Sequence, residues 1–115
     1  MTNPKRGELK LKLGEKSYNC KLNMDVLVRI EQNLGGSLLR LANKMQEADI
    51  SGLQMVSILT PVLRSSGEDL KDSDVKKIIW DAGVTSTITA CAEIIAFIVG
   101  GSEGDEGNGK SGDSL

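Results

Sequence analysis

The sequence contains no histidine, and this absence removes several kinds of chemistry at once. Histidine is the commonest general base and the commonest zinc ligand, and it completes the Ser-His and Cys-His pairs that activate nucleophiles. The two cysteines, Cys20 and Cys91, lie far apart in the sequence and cannot build a structural zinc site by themselves. We therefore expect no enzymatic activity, no metal and no cofactor, and a function that depends on binding.

Long apolar runs are also missing. Residues 1–13 hold no continuous apolar segment of the kind that forms a signal peptide. The most apolar stretch, Val84–Val99, is shorter than the roughly 20 residues that a membrane span needs, and it carries Glu93. We expect a cytoplasmic protein with no membrane partner. In that compartment Cys20 and Cys91, each on an apolar pattern, are expected to be buried free thiols.

The end of the chain has little to bury. Residues 100–115 are mainly glycine, serine and acidic residues, which predicts one domain over residues 1–99 followed by a flexible tail. Within the tail, Gly104–Ser111 fits the phosphate-binding pattern G-x-x-x-x-G-K-[ST]. Only Gly112–Leu115 follows in this sequence, so no helix can supply backbone N–H groups to a phosphate. Asp105 and Glu106 would also repel the ligand, and we interpret the match as chance.

Alternating residues near the start predict a β-hairpin. Residues 8–13 read Glu-Leu-Lys-Leu-Lys-Leu, which places three leucines on one face of a strand. A turn at residues 14–16 follows, and residues 17–22 alternate again, with Tyr18, Cys20 and Leu22 inward. A two-stranded hairpin is marginal alone, so helices are expected to cover it.

Helical periodicity and capping residues predict four to five helices after the hairpin. The first runs from the N-cap Asn23 to about Leu34, Ser37 caps the second, and the third begins at Ser51. Pro61 is expected to kink or break the third helix, whose apolar stripe is predicted as Leu53, Val56, Leu59 and Leu63. Asp72 or Ser73 is expected to cap a fourth helix, and the last spans about Val84–Val99. The predicted class is α+β and mostly helical, an N-terminal hairpin followed by a helix bundle.

Four apolar residues are candidates for binding another protein. Trp80 lies off the predicted Val75/Ile79 stripe of its helix, so it is either a core residue or an exposed anchor. The last helix is apolar on more than one side. Ile94, Phe97 and Ile98 therefore either pack against the hairpin or form a second docking face.

The order of these parts resembles a known family. The phrases that carry the resemblance are Asn3–Glu8, Leu22-Asn23-Met24, Ile30-Glu31, Asn33-Leu34-Gly35, Ser37-Leu38-Leu39, Leu63–Gly67, Asp69-Leu70 and Asp74-Val75. In their sequence and spacing they are similar to the small tail assembly proteins of gene transfer agents and long-tailed phages. Most of these proteins are described as tail assembly chaperones, and some carry a tail tube label. The similarity covers about Asn3 to Val99.

The resemblance implies a transient binding role. Such chaperones coat the helical tape measure protein and recruit tail tube subunits around it, which would make those two proteins the partners. A structural tube subunit is an alternative, although a single hairpin is little for a β-rich tube. A nucleic-acid-binding regulator is another, but the first three helices carry only scattered basic residues: Arg29, Arg40, Lys44 and Arg64. Spare apolar surface would also permit a homo-oligomer.

Overall fold

The alternating leucines at the start of the chain form the expected antiparallel hairpin in the computed structural model, which describes residues 7–47 and 49–100. Strand β1 spans Glu8–Leu13 and β2 spans Lys16–Lys21, with Leu11 opposite Tyr18. The turn begins at Gly14, whose φ of 64° is readily adopted only by glycine. One face of the hairpin is buried and carries Leu11, Leu13, Tyr18 and Cys20.

Five α-helices follow, and the first two begin at the predicted capping residues. Helix α1 spans Met24–Leu34, and the side chain of Asn23 accepts a hydrogen bond of 3.0 Å from the Val26 N–H. Helix α2 spans Leu38–Gln46 after Ser37, whose hydroxyl accepts from the N–H of Leu39 at 3.1 Å. Each side chain satisfies an N–H that has no partner within its helix. The predicted α+β class, a hairpin followed by a mostly helical body, is confirmed.

Helix α3 spans Gly52–Arg64 and continues through Pro61, so the predicted break at this residue is wrong. A proline lacks the N–H that would bond to the carbonyl four residues earlier, here that of Ser57. The side-chain amide of Asn33, on α1, donates a hydrogen bond of 3.3 Å to that same carbonyl. Helix α1 therefore supplies the hydrogen-bond donor that the proline cannot.

The apolar stripe of α3 also differs from the prediction. Leu59 and Leu63 are buried as expected, but Leu53 is 76% exposed and Val56 is only partly buried. The buried apolar face consists of Met55, Ile58, Leu59, Val62 and Leu63. Leu53 lies in the first turn of the helix, between the two residues of the capping box, Ser51 and Gln54.

Helix α4 spans Asp72–Ala82 and α5 spans Val84–Gly100. Asp72 and Ser73 lie inside α4, so the predicted cap is one or two residues too late. The carboxylate of Asp74 instead accepts a 2.9 Å hydrogen bond from the backbone N–H of Lys71, the residue before the helix. The two helices meet at Gly83, with an angle of 115° between them.

Helix α3 forms the centre of the core, because it contacts α1, α4, α5 and β2. Helix α5 contacts β1 and α2 as well. Most of its inward residues, including Cys91 and Ile94, are fully enclosed. Burying an aliphatic side chain of this size stabilises the fold by about 1.5–3 kcal/mol before entropy is counted.

Two further expectations from the sequence concern the C-terminal tail and the absence of a membrane span. The predicted flexible tail and its phosphate-loop match lie outside the described residues, except for Gly100, which ends α5. Within residues 7–47 and 49–100, no single helix is long and apolar enough to cross a membrane. Helices α4 and α5 together reach the required length and apolar composition, but only as a pair with a sharp bend between them.

Candidate functional site

The two cysteines lie inside the body and are free, as predicted. Burial raises the pKa of Cys91 to about 12. It raises the pKa of Cys20 to about 11, although a hydrogen bond with Ser65 acts in the opposite direction. Both thiols are therefore protonated at neutral pH and weak as nucleophiles. Among residues 7–47 and 49–100 there is also no group of three or more side chains placed to hold a metal ion.

Trp80 is the most exposed large apolar residue of the described chain, at 81%. Its helix turns Val75 and Ile79 toward the core. Successive residues of an α-helix are about 100° apart, so the residue after Ile79 points away from the core. Of the two placements that the sequence left open for Trp80, the structure has the exposed one.

Charged side chains surround this indole. Lys76 and Lys77 precede Trp80 by four and three residues, so they lie on the same surface of α4 one turn earlier. The ammonium of Lys77 contacts the carboxylate of Asp81 at 3.3 Å, and both side chains remain largely exposed. We call Lys76, Lys77, Trp80 and Asp81 the Trp80 face. It has the layout of a small binding site, with one aromatic anchor inside a polar rim.

The three candidates on α5 do not form an exposed apolar face. Ile94 is fully buried in the core, so of the two placements left open for it, packing in the fold and a docking face, the structure has the first. Phe97 and Ile98 are partly buried and pack against the core cluster. Trp80 lies on another helix, α4, and differs from these three residues in being exposed.

Several exposed apolar residues were not identified as candidates from the sequence. They are Met24 and Val28 on α1, Leu39 on α2, Leu53 on α3, and Val84 and Val99 on α5. Single exposed aliphatic residues are normal on protein surfaces and need no special role. Tryptophan differs, because interface hot spots are enriched in it and poor in leucine and valine. Trp80 therefore remains the best-supported anchor among these residues.

The comparisons with known proteins agree with the resemblance noted in the sequence. The model of the family described as "Phage tail tube protein, GTA-gp10" matches residues 6–101. No curated protein and no solved structure gives a significant match. The match covers the hairpin and all five helices.

Proposed function

The chain belongs to the GTA-gp10 phage tail tube family, and on that premise we propose that it acts as a tail assembly chaperone. In this role it binds the tape measure protein transiently, in the host cytoplasm, and helps to recruit tail tube subunits. A tape measure protein presents long apolar helical surfaces that need covering before the tube closes around them. The observation that carries the proposal is Trp80, a large apolar side chain held on a regular helix and left uncovered.

The form of the body supports a covering role. The described residues contain one sheet of two short strands, and the remaining elements are helices. Helices can present an apolar anchor to a partner helix, which is a common mode of reversible recognition. Tryptophan supplies a large contact area, about 150–250 Å² when it becomes buried, and loses little conformational freedom on binding.

A binding measurement with matched variants tests this proposal. The tape measure protein of the same tail is titrated with the wild type, Trp80→Ala and Leu53→Ala. Leu53 is a suitable control because it is nearly as exposed, at 76%, and lies on a different helix. We expect Trp80→Ala to weaken binding by about 30-fold or more, as for an interface hot spot, and Leu53→Ala by less than about threefold.

Two outcomes would contradict the proposal at different levels. Equal affinity of the wild type and Trp80→Ala would remove the Trp80 face as the site, while leaving the partner in place. Failure of the wild type to bind the tape measure protein at micromolar concentrations would remove the chaperone role itself.

The family description supports a second candidate, a structural subunit of the tail tube. The two functions differ in what remains in the finished particle. A tube subunit is retained in many copies, whereas a chaperone leaves before completion. Quantitative mass spectrometry of purified tails therefore separates them. Absence of this chain from finished tails supports the chaperone, and an abundance equal to that of the major tube protein supports the structural subunit.

A further inference from the structure

A polar cleft runs between α1 and α3, away from the Trp80 face. Its volume is about 340 Å³. The polar residues that line it are Arg29, Gln32 and Asn33 from α1, and Thr60, Arg64 and Ser65 from α3 and its end. No carboxylate lines the cleft. Two arginines therefore line a space that no carboxylate lines.

Neither arginine has a carboxylate within 4.0 Å among the described residues, where the ion pairs are Lys16–Glu68 and Lys77–Asp81. Arg64 is held in place, because its Nε donates a hydrogen bond of 2.6 Å to the backbone carbonyl of Leu70. This contact uses one of the five N–H donors of the guanidinium. A guanidinium fixed in this way is well suited to bind a carboxylate, because less side-chain entropy is lost on binding.

A second observation at the cleft also indicates a missing ligand. The hydroxyl of Thr60 is a buried side-chain oxygen without a hydrogen-bond partner within residues 7–47 and 49–100, and Thr60 is only 5% exposed. Leaving such a group unpaired costs about 1–3 kcal/mol. Its neighbours are already committed: Asn33 donates to the Ser57 carbonyl, and the Ser65 hydroxyl accepts from the backbone N–H of Lys21 at 2.9 Å. The oxygen has almost no accessible surface, so an acceptor from outside reaches this hydroxyl only when the Thr60 side chain turns toward the cleft.

The shape of the cleft favours a peptide side chain over a small inorganic ion. Val26 and Pro61 give the lining an apolar part that can contact methylene groups. The α1 segment between Val26 and Asn33 is about 10 Å long, which matches about three residues of extended chain. A single phosphate would leave most of this volume unfilled and these apolar groups uncovered.

We propose that the cleft between α1 and α3 binds an acidic peptide segment of a partner protein, with a glutamate or aspartate carboxylate between Arg29 and Arg64. Thr60 donates its hydroxyl hydrogen to the same carboxylate, and Gln32 contacts the peptide at the cleft edge. The site involves different helices from the Trp80 face. It therefore stands or fails independently of the chaperone role.

The probe for the test is a fluorescein-labelled peptide of alternating glutamate and glycine, and a glutamine-glycine peptide serves as the neutral control. Binding to the full-length chain is followed by fluorescence anisotropy at low salt. We expect Arg29→Gln and Arg64→Gln each to weaken binding by about 10-fold or more, because each removes a charge-assisted contact. Arg40→Gln is the matched control, since Arg40 is exposed on α2 and does not line the cleft. It should change the affinity by less than about twofold.

Arg64→Gln also removes the contact with Leu70, so Thr60→Val provides a test that keeps the shape of the side chain. This variant should retain or increase the thermal stability of the chain and weaken the acidic peptide several-fold. An effect on stability alone would contradict the role of Thr60 in binding.

Three results would overturn the proposal. One is equal binding of the glutamate and glutamine peptides. Another is displacement of the peptide by inorganic phosphate at equal concentration, which would indicate a small-anion site. The third is a tenfold gain in peptide affinity when Glu103, Asp105 and Glu106 are replaced by their amides. That gain would identify the acidic tail of this chain as the occupant in place of a partner.

Discussion

Helices α4 and α5 are adjacent in the sequence but differ in how their apolar residues are used. Helix α5 is the more apolar, yet its largest inward residues, such as Ile94, are covered by the core. Helix α4 is mostly polar, and its one tryptophan is the most exposed large apolar side chain of the described chain. The apolar content of a helix therefore does not show what it offers to a partner. What a helix offers to a partner depends on how many of its sides pack against neighbouring elements.

The largest expected effect tests the covered side of this comparison. Replacing Ile94 by alanine removes a fully enclosed side chain and leaves a cavity. We expect the free energy of unfolding to fall by about 2–5 kcal/mol. Urea denaturation measures the change. Ile98→Ala on the same helix is the matched control, and it should cost less than half as much because Ile98 is only partly buried. Similar losses for the two variants would contradict the difference in burial.

The junction between the two helices gives the next effect. Gly83 has φ 96° and ψ 147°, a combination that is essentially restricted to glycine. Its surroundings are open, so a methyl group would meet no atom within 4 Å. Gly83→Ala should therefore destabilise the fold by about 1–3 kcal/mol through backbone strain alone. Gly36→Ala, also in open space but without a positive φ, should be close to neutral. Calorimetric midpoints of the two variants measure the difference.

The pH dependence of stability tests the burial of Cys91 within α5. Its pKa is raised from 9.0 to about 12 in the folded chain, so the folded state keeps its proton at pH values where the unfolded state loses it. The stabilisation that comes from this raised pKa is fully present below pH 9 and is lost as the pH rises toward 12. Each pH unit in that window costs about 1.4 kcal/mol. Between pH 8 and 10.5, the wild type should lose about 2 kcal/mol more than Cys91→Ala, as measured by urea unfolding at each pH. Equal losses would show that the thiol is accessible to solvent.

The smallest effect is expected on the exposed side. Trp80→Ala should change the free energy of unfolding by no more than about 0.5 kcal/mol, because the indole has few contacts to lose. Trp80 is also the only tryptophan of the chain. Acrylamide should therefore quench the fluorescence of the native protein nearly as well as that of the unfolded protein. Strong protection from quenching would show that the indole is covered in solution, for example by a second copy of the chain.

The sequence predicted most of the elements because their signals are local. Strand alternation and capping side chains such as Asn23 and Ser37 act within a few residues, and the structure has them where they were expected. The position of Trp80 depends on which neighbours reach α4, so periodicity left two placements open. The donor that replaces the missing N–H of Pro61 in α3 comes from Asn33, a residue 28 positions earlier, and no pattern around the proline indicates that contact.

The cleft between α1 and α3 could not be predicted for the same reason. Arg29 and Arg64 are far apart in the sequence, and each has the pattern of an ordinary surface residue on its helix. Their common feature, a shared space without a carboxylate, exists only after two helices have packed. The unpaired hydroxyl of Thr60 likewise becomes visible only when its surroundings are known.

The bond from Asn33 to the carbonyl of Ser57 has a consequence for the order in which the chain folds. Helix α3 lacks one internal hydrogen bond, because Pro61 has no N–H to donate to the Ser57 carbonyl. While α1 is undocked, only water can donate a hydrogen bond to the Ser57 carbonyl. The last turns of α3 are then less stable than in the folded chain. We therefore expect these turns to gain protection from amide hydrogen exchange together with α1 and not before it. The helix at the centre of the molecule is completed by α1, two helices earlier in the chain.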